Sequence, residues 1–117
     1  MGEAFRWFER AAEKGSVSAL YNLGLCYEMG SGVRKDSRKA AEYYRRAAGK
    51  DHKGAMLTLG RWFLEGRSGF KKDPEQAKHW LEQAAALGSE EAKDELEKLR
   101  KESQESPKKK RFLGLFS

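Results

Sequence analysis

Two stretches decide the fold: SALYNLGLCYEMGSGVRKDSRKAAEYYRRAAGKDHK (18–53) and GAMLTLGRWFLEGRSGFKKDPEQAKHWLEQAAALGSE (54–90). They carry one pattern twice. Ala19 falls on Ala55, Leu23 on Leu59, Gly24 on Gly60, Tyr27 on Phe63 and Gly30 on Gly66, each 36 residues apart. One inserted residue then lengthens the offset to 37: Gly32 meets Gly69, Val33 meets Phe70, Asp36 meets Asp73, Ala40 meets Ala77 and Tyr43 meets Trp80. Ala47-Ala48 meets Ala84-Ala85 at the same offset. A fixed period of this length marks a stacked repeat, in which each unit buries its apolar face against the next.

Each unit reads as two helices. Ala19, Leu20, Leu23, Gly24 and Tyr27 recur at steps of three and four, the stripe of an amphipathic helix. Gly24 and Gly60 sit inside that stripe, where glycine costs about 1 kcal/mol relative to alanine. A repeated cost implies a repeated use, the close approach of the paired helix. Asp36 and Asp73 are N-caps for the second helix. In Asp73-Pro74-Glu75-Gln76, Pro takes the first helical position and Gln the capping-box position. The stripe Ala40, Tyr43, Tyr44, Ala47 alternates small and aromatic residues, as does Ala77, Trp80, Leu81, Ala84. Gly30 and Gly32, like Gly66 and Gly69, suit a loop that needs positive φ.

The ends are half-units. AFRWFERAAEKG (4–15) matches the second helix, with Ala4 on Ala40, Trp7 on Tyr43 and Ala11-Ala12 on Ala47-Ala48. EAKDELEKLRKE (91–102) matches the first helix, with Ala92 and Leu96 in place of Ala55 and Leu59. There Glu97 replaces the glycine and Arg100 the aromatic, so the face that would receive another repeat is charged, as a solenoid cap requires. The expected layout is a half-unit at 3–15, units at 17–53 and 54–90, a capping helix at 90–104 and a tail at 105–117. Phe5, Trp7 and Phe8 have no helix before them. Either these rings are partly exposed or the chain is the C-terminal piece of a longer array. The second is the expectation, because stacked repeats need about three units.

Composition agrees with helices joined by glycine turns: 12 Gly and 2 Pro in 117 residues. No run approaches the ~18 apolar residues of a membrane span. The start, MGEAFRWFERAAEKG, has no apolar core of a signal peptide, and Arg6 stands where a myristoylation signal wants Ser or Thr. One cysteine, Cys26, excludes an internal disulfide. A cytoplasmic chain is expected, with the nucleus as the alternative offered by the basic tail. The net charge is +6, of which Lys108–Arg111 supply four, leaving a nearly balanced body.

The pattern Ala19, Leu23, Gly24, Tyr27, Gly30, Gly32, Val33, Asp36, Ala40, Tyr43, Tyr44, Ala47, Ala48 resembles the Sel1-like repeat, a relative of the tetratricopeptide repeat. The second unit carries it as Ala55, Leu59, Gly60, Phe63, Gly66, Gly69, Phe70, Asp73, Ala77, Trp80, Leu81, Ala84, Ala85 and Gly88. Departures are Phe for Tyr, Phe for Val, the loop insertion, and Asp51 where the unit's last glycine would stand. The resemblance covers roughly 4–104 and implies an all-α, right-handed α-solenoid of antiparallel helix pairs, about six helices, acting as an adaptor or scaffold. The motif residues are structural, and none carries over as catalytic.

In such solenoids the first helices line the concave face. Taken at 100° per residue away from the core stripe, the outward positions are Ser18, Asn22, Leu25 and Met29, then Gly54, Thr58, Arg61 and Glu65. Asn22, Leu25, Met29, Thr58, Arg61 and Glu65, together with Trp62 at the flank, are the candidate partner-binding residues. Trp62 has two readings: with Arg61 it makes a pair of the type enriched at interface hot spots, or it fills core between repeats. Cys26, at the equivalent place, reads as a small buried hydrophobe. Arg34-Lys35, Lys71-Lys72, Arg38, Lys39, Arg45 and Arg46 read first as a solvated charged face, and second as a basic rim suited to an acidic partner. His52 and His79 have no metal spacing and read as ordinary surface or packing histidines. Paired carboxylates such as Asp94-Glu95 lie on charged helix surfaces. No phosphate loop, nucleophile set or zinc motif is present, so no enzyme, cofactor, metal or small-molecule substrate is expected. The expected partner is a protein or peptide. Self-association would run through the N-terminal half-unit or the tail.

Ser106-Pro107 ends the capping helix. Beyond it, Lys108, Lys109, Lys110 and Arg111 meet Phe112, Leu113, Leu115 and Phe116. Four readings stand: a disordered end, a short nuclear-import signal, a peptide ligand, or a weak membrane foot at about 1 kcal/mol per basic residue. The RFLGL stretch resembles the Arg-x-Leu docking motif of cyclin substrates, and SPKK a proline-directed kinase site at Ser106. Phosphate there would mask the basic run. A nucleic-acid site has only this tail in its favour.

Overall fold

The structure is a computed structural model in which residues 2–67 and 69–102 are described. Five helices run α1 (Glu3–Glu13), α2 (Val17–Met29), α3 (Ser37–Gly49), α4 (Lys53–Glu65) and α5 (Pro74–Ala86). A sixth, α6, covers 90–102. No strand occurs among the described residues. The chain is an α-solenoid of antiparallel helix pairs. From α1 to α5 each helix packs against the next in sequence, and the extents are 63 × 28 × 17 Å. The tail residues Ser106, Lys108–Arg111 and Phe112–Phe116 lie outside the described residues.

The helix starts follow from side-chain caps. Asp36 accepts from the N–H groups of Arg38 (3.0 Å) and Lys39 (3.2 Å). Asp73 does the same for Glu75 (3.1 Å) and Gln76 (3.2 Å), with Pro74 at the first position. The capping box expected at Gln76 is not closed. The Asp73 N–H instead donates to the Phe63 carbonyl at 2.9 Å, and the Asp36 N–H to Tyr27 at 2.9 Å. In each unit this one bond pairs a loop amide with a carbonyl in the last turn of the preceding helix, where carbonyls lack intrahelical partners. α2 and α4 end on left-handed Gly30 (φ 72°) and Gly66 (φ 66°). Asp51 takes the same left-handed conformation (φ 66°) as Gly15 and Gly88 in the neighbouring turns, so the departure at Asp51 leaves the turn geometry intact.

Gly24 and Gly60 are used as the repeat pattern requires. A Cβ on Gly24 would stand 2.5 Å from the Tyr44 ring, and one on Gly60 2.8 Å from Leu81. Tyr44, Leu81, Leu59, Ala40, Ala47, Ala77 and Ala84 are completely buried. Full burial of each large side chain contributes about 1.5–3 kcal/mol, which exceeds the helix penalty of the glycine that admits it. Tyr44 keeps its one polar atom satisfied, donating to Glu28 Oε1 at 2.6 Å. Burial first, and that bond second, push its hydroxyl pKa far up. α6 closes the described stack by burying Ala92, with Leu96 and Leu99 packed alongside.

His52 has a structural task. It is the N-cap of α4: its Nδ1 accepts from the Ala55 N–H at 3.0 Å, and its ring stacks on Tyr21 at 4.6 Å. Ser16 and Ser89 hold the equivalent places before α2 and α6. Burial lowers the His52 pKa from its ordinary 6.5, and a neutral Nδ1 is what the cap needs. The unfolded chain therefore binds a proton at His52 more readily than the folded one. That contribution to stability is full above about pH 6.5 and is lost as pH falls through the lowered folded value. Urea melts between pH 7.5 and 5.5 should lose stability toward acid, and His52→Ser should flatten this dependence. An unchanged slope in His52→Ser would contradict the assignment.

Candidate functional site

The seven candidate partner-binding residues separate into two groups. Asn22 and Leu25 are half-buried, and Met29 is 70% exposed. With Ala4 and Phe8 of α1, and Cys26 and Gly30–Gly32, they line an open groove of about 580 Å³. Its lining is mostly apolar, and its one ionisable group, the Cys26 thiol, is pushed up in pKa by burial. Cys26 is 7% exposed, which fits the small buried hydrophobe read from its position.

Among the described residues α1 carries less cover than α3 does at the equivalent positions. Ala40 and Tyr44 of α3 are completely buried, with Tyr44 against Gly24 of α2. Their counterparts on α1 differ: Ala4 is exposed and Phe8 half-buried. Trp7, the counterpart of Tyr43, is 71% exposed. Ala4 and Phe8 were not among the partner-binding residues expected from sequence. The correspondence with Ala40 and Tyr44 is the signal that points to them.

The second group is occupied within the chain. Trp62 is a correction: it is 2% exposed, held edge-to-face between Tyr44 (5.3 Å) and Phe70 (5.7 Å), and cannot meet a partner. The Thr58 hydroxyl donates to the Gly54 carbonyl at 2.9 Å. Arg61 reaches α6, 3.3 Å from Glu91 and 3.6 Å from Glu95. Glu65 is exposed and 4.0 Å from Arg67. The charged cap thus has a specific handhold on α4.

Among the described residues no group of three His, Cys, Asp or Glu is placed to hold a metal. His79 is exposed, its Nε2 2.9 Å from the Gln83 side-chain nitrogen. No helix among the described residues is long and apolar enough to cross a membrane.

Repeated helix pairs, glycine-admitted rings and a capped end define a helical-repeat protein, a class typically serving protein interaction without catalysis. The Sel1 repeat model matches residues 1–16, 17–52 and 54–89, and the chain belongs to the Sel1 repeat family. It is 36% identical over 79 residues to chitin synthase regulatory factor 2 of Schizosaccharomyces pombe, covering 68% of this chain and 15% of that protein. It is 36% identical over 91 residues to the chitin synthase regulator SKT5 of Saccharomyces cerevisiae, covering 75% and 13%. The crystal structure of a Sel1 repeat protein from Oxalobacter formigenes superposes with a TM-score of 0.75 at 41% identity, covering 80% of this chain and 70% of that one. The chain therefore spans only a small part of its fungal relatives' length.

Arg61→Ala should cost under ~1 kcal/mol, since the pair is partly exposed. It should appear chiefly as faster amide exchange across 90–102, read by mass spectrometry. Unchanged exchange there would show that α6 is held by Ala92 and Leu96 alone.

Proposed function

We propose that this chain is a non-catalytic protein-interaction module, an adaptor or scaffold, whose α1–α2 groove seats an amphipathic helix of a partner protein. The observation that supports this most is the open apolar groove lined by Phe8, which is half-buried while its counterpart Tyr44 is completely buried. α2 shows the geometry such an occupant would copy: an apolar stripe with a small residue against the ring, as Gly24 of α2 lies against Tyr44 of α3. Exposed Met29 supplies a soft, adaptable edge suited to helix recognition.

A second reading places the chain as a regulatory or docking part of a larger assembly that controls an enzyme. It is favoured by the naming of both fungal relatives as chitin synthase regulators and by the small share of them that the chain spans. The basic-apolar tail would act as a separate linear motif. We place the chain in the cytoplasm, with Lys108–Arg111 as a candidate import signal.

Affinity capture with the full chain, identified by mass spectrometry, tests the groove. Leu25→Glu combined with Met29→Glu should reduce partner recovery at least tenfold while the helical circular-dichroism melt is retained. Removal of 107–117 should leave groove-dependent partners bound. Equal recovery by the charged-groove variant would refute the groove as the docking surface.

A further inference from the structure

A second surface, separate from the groove, lies on α3. Arg38, Ala41, Glu42, Arg45 and Arg46 form a cleft of about 420 Å³ with Gly69 and Phe70 of the α4–α5 loop. Three guanidinium groups against one carboxylate leave it net positive. Among the described residues none of the three arginines makes an ion pair, whereas Arg61, Arg67 and Arg100 each do.

The fold does not need these charges. The same positions one unit later, on α5, carry Glu75, Glu82 and Gln83 in place of Arg38, Arg45 and Arg46. The floor is also particular to this place. Phe70 stands where the first unit has Val33, in the loop that bears the inserted residue. It is wedged against Trp62 (5.7 Å) and Phe63 (4.7 Å). The Arg45 guanidinium lies over its ring at 5.0 Å, and Arg46 lies over Tyr43 at 5.4 Å. A guanidinium resting on a ring keeps its N–H edge available for an oxygen acceptor and has less freedom to lose when one arrives.

Arg38 and Arg45 are two helical turns apart, about 10 Å at 1.5 Å per residue. An extended peptide advances about 10 Å in three residues. We propose that this cleft docks an acidic peptide segment of a partner protein, in extended form, with two carboxylates three residues apart. One meets Arg38, the other meets Arg45 and Arg46, and an apolar side chain between them faces Ala41 and Phe70. Because this surface shares no residue with the α1–α2 groove, either can fail without the other.

Fluorescence anisotropy with the full chain tests it. The probe is a labelled Gly-Ser-Glu-Leu-Ala-Glu-Gly-Ser peptide, with its Gln-for-Glu analogue and a labelled oligouridine as comparisons. The Glu peptide should bind at least tenfold more tightly than the Gln peptide and weaken with salt. Arg38→Glu/Arg45→Glu/Arg46→Gln, which copies α5, should abolish the difference. Arg45→Lys, which keeps the charge but loses the planar fork, should weaken binding several-fold, and it tests the cleft even if the triple variant fails to fold. Replacing Lys108–Arg111 with Ser should change nothing. The proposal is overturned if the Glu and Gln peptides bind alike, if Arg45→Lys or a folded triple variant binds as the parent does, if the tail replacement removes binding, or if oligouridine outcompetes the peptide.

Discussion

The structure depends on one close contact made twice: a ring or branched side chain of a second helix laid directly on a glycine of the first. At Gly24 the visitor is Tyr44, and at Gly60 it is Leu81. No other residue leaves room, since even a methyl group would fall within 2.8 Å of the side chain opposite at both sites. The contact brings the paired helices together and buries the largest core side chains. It also orients the outer faces of α2 and α3, from which both proposed surfaces are built.

The same contact explains why the two ends of the described stack differ. On α6 the glycine position is Glu97 and the aromatic position is Arg100. Both are exposed and 3.8 Å apart, so this face offers no seat for another ring. On α1 the ring itself, Phe8, the counterpart of Tyr44, is present but only half-buried. An apolar groove at one end and a charged helix at the other follow from a few residues in equivalent places.

Much of this was legible in the sequence. Period, caps, glycine contacts and the charged face of α6 were local patterns repeated at fixed spacing, and repetition made each one readable. Three features were not. Trp62, which helical angle puts at the flank, read equally as an interface anchor and as core filler. Its burial comes from Tyr44 on another helix and Phe70 in a loop, neither of which follows from periodicity within α4. His52 looked like an ordinary histidine. Its cap role appears only when Ser16 and Ser89 are seen at the same place. The basic residues of α3 were visible as charge, but the cleft required Phe70, and the loop carrying it departs from the repeat.

The most direct test of the account is a double-mutant cycle between Gly24 and Tyr44, measured by urea unfolding of the full chain. Gly24→Ala alone should destabilise by about 1–3 kcal/mol through overpacking, and Tyr44→Ala alone by about 3–5 kcal/mol, the range for deleting a large buried aromatic. If the contact is the constraint described, the added methyl is tolerated once the ring is gone. The double variant should then be at least ~1 kcal/mol more stable than the summed effects predict. Strict additivity, or a Gly24→Ala variant as stable as the parent, would contradict it.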